Sequence, residues 1–106
     1  MGKGRSNMIR GTTPTLEFVI PFDTGQLAEA FVTLSQNGSA LIDKALFECS
    51  CEGNKLSVQL TQEDTLKLQC DCMTEIQIRA KTLEGEAIAS QIIKVNTERI
   101  LKDGVI

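Results

Sequence analysis

Apolar side chains return at every second position in run after run of this sequence, and no stretch sustains the spacing of a three-turn helix. In Thr15–Phe22, Leu16, Phe18, Ile20 and Phe22 share one face. In Ala28–Gln36, Ala30, Val32 and Leu34 lie together, with Phe31 and Thr33 opposite. Lys55–Leu60 alternates Leu56, Val58 and Leu60 with Lys55, Ser57 and Gln59. Thr74–Lys81 sets Ile76, Ile78 and Ala80 against Glu75, Gln77, Arg79 and Lys81. Period two is the signature of a strand with one face buried, and a slip of one residue would turn every apolar side chain to water. The chain is therefore expected to be all-β.

The punctuation between these runs fits hairpins. Asn37-Gly38 joins two strand-like runs directly, and a type I′ turn needs positive φ at both central residues, which Asn and Gly tolerate best. The return strand is expected over Ala40–Glu48. Asp23-Thr24-Gly25, Glu52-Gly53-Asn54 and Glu84-Gly85 mark further turns. Pro21 cannot donate to a ladder, so the first long strand ends there or lies at an edge. The last long strand, Ala87–Thr97, switches its apolar face around Gln91–Ile93, which predicts a bulge. Thr61-Gln62-Glu63-Asp64 has the Ser/Thr-x-x-acid form of a helix start and predicts one short helical turn near 61–67, with Leu66 and Leu68 folded onto the core.

About six or seven strands with turns every 8–12 residues predict an antiparallel, immunoglobulin-like β-sandwich, with a β-barrel as the alternative closure. The Cys…Trp…Cys landmark of antibody domains is missing. The chain length of 106 residues suits one domain. Residues 1–8 read as a flexible basic segment and 9–106 as the single folded domain. No apolar run approaches the ~20 residues that cross a bilayer, and a reducing cytoplasm is the expected place of assembly.

Composition narrows function mainly by exclusion. There is no His, the side chain best suited to acid–base work near neutral pH and the commonest metal ligand. Trp and Tyr are absent, which removes most stacking surfaces for nucleic acids or sugars. A net charge of −3 also lacks the basic footprint of a nucleic-acid binder. Ser and Thr are plentiful, but none stands in a nucleophilic arrangement. No catalytic residue, cofactor, nucleic acid or membrane partner is expected.

The cysteines are the one constellation with chemical potential. Cys49-x-Cys51 and Cys70-x-Cys72 could together hold a zinc ion in tetrahedral geometry. The usual spacing is wider, and the strand between the pairs would hold them roughly 20 Å apart unless the chain after Leu60 folds back. Free, partly buried thiols are the preferred reading, with zinc at Cys49, Cys51, Cys70 and Cys72, and then disulfides or redox chemistry, as the alternatives. Glu63 and Asp64 read as residues of a helix first turn, and Asp71 as a loop charge.

Four strings, in order, carry a resemblance: Arg10-Gly11-Thr12-Thr13-Pro14-Thr15-Leu16, Leu60-Thr61-Gln62-Glu63-Asp64-Thr65, Glu75-Ile76-Gln77-Ile78-Arg79, and Glu98-Arg99-Ile100-Leu101-Lys102-Asp103-Gly104-Val105-Ile106. Over residues 9–106 the chain resembles small proteins encoded in tail and baseplate gene clusters of phages and prophages of Gram-positive bacteria. It is also similar to the N-terminal β-sandwich of phage baseplate upper proteins. The Cys-x-Cys elements lie outside that pattern, and Cys70-Asp71-Cys72 stands where a Gly-containing turn is expected. The resemblance implies a non-enzymatic structural component of a virion. Its partners would be other tail or baseplate proteins, with a homo-oligomer as a further possibility. Edge strands are the natural docking sites of such a module, and Pro21, Val105 and Ile106 mark the expected contact regions. The alternatives are a carbohydrate- or surface-binding β module and a small zinc-dependent regulator.

Overall fold

Each alternating run becomes a strand, and the faces fall as the period requires. The computed structural model describes residues 7–106. Its strands are β1 (Asn7–Ile9), β2 (Thr15–Val19), β3 (Leu27–Gln36), β4 (Ser39–Ala45), β5 (Ser50–Glu52), β6 (Lys55–Gln59), β7 (Cys72–Thr82), β8 (Ala87–Ala89) and β9 (Ile93–Glu98). A single helical turn, α1 (Gln62–Leu66), lies between β6 and β7. The larger sheet runs β1-β9-β7-β3-β4, with β8 also paired to β7, and the smaller runs β2-β6-β5. Every pairing is antiparallel except β1 with β9. One core joins the two sheets: Phe18, Leu56 and Val58 from the smaller, and Val32, Leu34, Ile76, Ile78 and Val95 from the larger. The protein is all-β.

The β3–β4 hairpin turns through Asn37 and Gly38, both at positive φ, with Gln36 opposite Ser39. Thr61 caps α1: its hydroxyl accepts from the Asp64 N–H at 3.0 Å, and Asp64 Oδ2 accepts from the Thr61 N–H at 2.8 Å. That reciprocal pair satisfies two backbone donors that a helix start leaves open.

Several expectations shift at their boundaries. The N-terminal segment expected to be flexible through residue 8 gives up its last two residues to β1, and Met8 is buried in the core; residues 1–6 lie outside the described residues. The return strand stops at Ala45, because the Ala45 N–H donates to the Glu48 carboxylate and Leu46–Glu48 winds into a 3₁₀ turn. The expected final strand divides into β8 and β9. Arg79 pairs with Ala89 and Ile76 with Ile93, so the three residues 90–92 face only the two residues 77 and 78. That extra residue is the bulge, and Ser90 bridges it by exchanging hydrogen bonds with Ile78. Leu68 reaches the core as expected, but Leu66 stays half-buried while Thr65 takes the fully buried place. There its hydroxyl donates to the Thr12 carbonyl at 2.8 Å, so burial leaves no polar atom unpaired. The final strand runs one residue further than expected, through Glu98, and Thr97 is buried beside Thr74.

Three of the four strings singled out in the sequence meet at one end of the molecule. The Arg10 guanidinium donates to the Leu68 carbonyl at 2.7 Å and the Leu66 carbonyl at 2.9 Å, and pairs with Asp103 at 3.3 Å. A cation fits there, because carbonyls at the end of a helical turn are left without partners. The Leu60 N–H donates to the Pro14 carbonyl. Gly11, at positive φ, lies so close to Ile100 that an added Cβ would sit 2.8 Å from its Cδ1. These residues hold the ends of the chain against α1.

Asp71 is the second non-glycine residue at positive φ, at 57°. Left-handed backbone is costly for a residue with a Cβ, though Asp tolerates it better than most. Asp71→Gly should therefore raise stability by roughly 0.5 kcal/mol, since the Asp71 N–H bond to the Thr97 carbonyl is untouched. A thermal melt that falls instead would mean that the aspartate side chain itself holds the turn.

Candidate functional site

The edge strand that ends just before Pro21 and the bulge near Gln91 face one another across a single groove. β2 is an outer strand of the smaller sheet. Its hydrogen-bonding direction follows from its ends: the Leu60 N–H donates to the Pro14 carbonyl, and the Ile20 N–H to the Asn54 carbonyl. Backbone groups of alternate residues point to opposite sides of a strand. Those of Leu16, Phe18 and Ile20 thus face β6, and those of Thr15, Glu17 and Val19 face outward. Among the described residues β2 pairs with no strand on that outward side. Pro21, with no N–H, ends the row.

Opposite this row the larger sheet breaks between β8 and β9. The groove between them has a volume of about 500 Å³. Phe18 and Ile20 supply one wall, and Ile78, Ile88 and Ile93 the other. Among the described residues Glu17 is the one charged residue along it. Val19 is 72% exposed and Ile93 nearly half exposed, so apolar surface continues over both rims. An unpaired strand edge beside an apolar trough can accept an extended chain, because the edge supplies backbone hydrogen bonds and the trough takes every second side chain.

The other expected contact residues lie elsewhere. The Gln62 side-chain amide clasps Ile106, accepting from its N–H at 2.9 Å and donating to its carbonyl at 3.2 Å. Val105 lies over a shallow depression formed with Thr13, Gln59 and Gln62. The end of the chain thus folds back on its own domain, with the Val105 and Ile106 side chains left exposed.

One cysteine of each pair lies on a strand, and the two strands belong to different sheets; Cys49 and Cys70 lie in the connections before them. Cys51 lies on β5 opposite Leu56, and Cys72 opens β7 opposite Thr97. All four are free thiols, and among the described residues no group of three or more Cys, Asp and Glu side chains is arranged to hold a metal ion. Burial pushes the Cys49 thiol above its usual range, helped by Cys51 and Glu48, and its Sγ lies 3.4 Å from the Ala45 carbonyl. A thiol so placed is a weaker nucleophile at neutral pH than an ordinary one.

One feature is not legible in the two-residue period. Phe47 falls within the run expected to continue as strand through Glu48, yet it projects from the 3₁₀ turn and is 88% exposed. With the partly exposed Phe31 and with Ala28, Ala45 and Leu46 it borders a second apolar depression on the far side of the larger sheet. The signal that could have located it is Glu48, whose carboxylate closes the turn on the Ala45 N–H.

No protein-family model matches this chain, and no curated protein is significantly similar to it.

Proposed function

We propose that this chain is a non-enzymatic assembly module with an immunoglobulin-like β-sandwich fold, docking onto other proteins through the groove beside β2. The observation that carries the reading is the coincidence of an unpaired edge, at Thr15, Glu17 and Val19, with an apolar trough opened by the β8–β9 bulge. The sandwich assignment draws on two unequal sheets that share one core. Its biological setting comes from the four strings: a tail or baseplate of a phage or prophage, assembled in the bacterial cytoplasm, with neighbouring tail or baseplate proteins as partners.

Val19→Pro tests this directly. The substitution removes a backbone donor from the outward edge and leaves the β6 ladder intact, so the melting transition should move little. Co-expressed with the tail and baseplate proteins of a phage that carries it, the native chain should co-purify with one of those components. The variant should lose at least about tenfold of that recovery, in line with the loss of a strand-pairing contact. Equal recovery of an identified tail protein by both chains would remove β2 as the docking edge.

A further inference from the structure

Resting on the strand-docking reading above, we infer that the groove selects an extended segment of a different protein in which apolar residues alternate and a Lys or Arg faces Glu17. Two features of the edge define this partner.

The first is direction. In an added strand, residues opposite Glu17 and Val19 share their face, away from the core, while residues opposite Leu16 and Phe18 point inward. Inward positions meet chiefly Phe18, Ile20, Ile78, Ile88 and Ile93, with Ser90 and Gln91 at the bulge, so apolar side chains gain most there. Outward positions meet Glu17 and the exposed Val19. With Glu17 as the single charge along the groove among the described residues, a cation directly across from it is rewarded and an acid there is penalised.

The second is exclusion of self. Two copies of β2 pairing antiparallel through their outward backbone groups set Glu17 opposite Thr15, Glu17 or Val19, according to register. The centred register repels, with Glu17 opposite Glu17. The register that sets Glu17 opposite Val19 also sets Pro21 opposite Thr15, where Pro21 has no N–H to give. No register offers Glu17 a cation, so the edge favours a basic strand from another chain over a second copy.

Two fluorescein-labelled synthetic peptides provide the probe, identical in alternating Val and Thr apart from a central Lys in one and a central Glu in the other. Binding is read by fluorescence anisotropy at low salt, with the full chain and its variants. The Lys peptide should bind the native chain roughly fivefold to tenfold more tightly than the Glu peptide, as a cross-strand charge pair gained in one case and repelled in the other implies. Glu17→Lys should reverse that order, a swap that general loss of structure cannot mimic. Val19→Pro should abolish binding of both. If Val19→Pro abolishes binding but the two peptides bind native protein equally, the charge rule is wrong and the docking edge stands. If neither peptide binds, or binding ignores Val19→Pro, the edge itself is not a docking site. A chain that self-associates through β2, shown by sedimentation that Val19→Pro reverts to monomer, would overturn the exclusion of self.

Discussion

Leu56→Ala should lower the free energy of unfolding by about 3–5 kcal/mol, the range for truncating a fully buried leucine. Leu56 is at the centre of β6, the middle strand of the smaller sheet, opposite Phe18 on β2 and Cys51 on β5. Its side chain is completely buried in the core shared with Val32, Leu34 and Ile78 of the larger sheet. Removing it opens a cavity at the seam between the sheets, where neither sheet can close without breaking its own ladder. A domain of this size has a total stability of about 5–15 kcal/mol, so a large share would be lost. Urea titration by circular dichroism measures it. Phe47→Ala is the matched control: an exposed aromatic of greater volume should cost only about 0.5 kcal/mol. A Leu56→Ala loss below about 1 kcal/mol would mean that the smaller sheet is not packed on the larger.

The second large effect centres on Asp64. Its carboxylate caps α1 through the Thr61 N–H and also accepts from the Lys44 ammonium of β4 at 2.9 Å. One buried side chain therefore starts the helical turn and fastens it to the edge of the larger sheet. Asp64→Ala removes the cap and leaves Lys44 largely buried without its strongest partner. A loss of about 3 kcal/mol is expected, the low end for breaking a buried pair by removing one member.

The same pair sets a pH profile. Burial pushes the Asp64 carboxyl up, but the Thr61 N–H and hydroxyl and the Lys44 ammonium together outweigh it and hold the group below the usual carboxylate range. A depressed carboxylate contributes stability that is present above its unfolded pKa of about 4 and is lost as pH falls through the lower folded value. For Lys44 the hydrogen bond to Asp64 is the largest influence; burial opposes it, and the net displacement is upward. That contribution is complete below the unfolded lysine value of about 10.4 and disappears as pH rises through the higher folded one. Urea midpoints from acid to alkaline pH should show both arms in the native chain, and Asp64→Asn should flatten the acid arm and weaken the alkaline one. An unchanged acid arm in Asp64→Asn would assign the acid loss to other carboxylates.

The sequence alone determined the strand faces, the type I′ turn at Asn37-Gly38 and the capped turn at Thr61. Each is a local property: a two-residue period, a pair of residues tolerant of positive φ, or a side chain three residues from the N–H it satisfies. The bulge near Gln91 was legible too, because an inserted residue inverts the apolar phase within one strand. What only the tertiary structure decided is what meets what. Sequence spacing could name the edge at Pro21 and the irregularity at Gln91 separately, but they lie some seventy residues apart and become one groove only when two sheets stack on a common core. In the same way nothing local joins Lys44 to Asp64, Arg10 to the carbonyls ending α1, or β1 to β9 in parallel. Such contacts are chosen by the packing of the whole chain, since the energy that fixes them is the burial of one core and not the preference of any single segment.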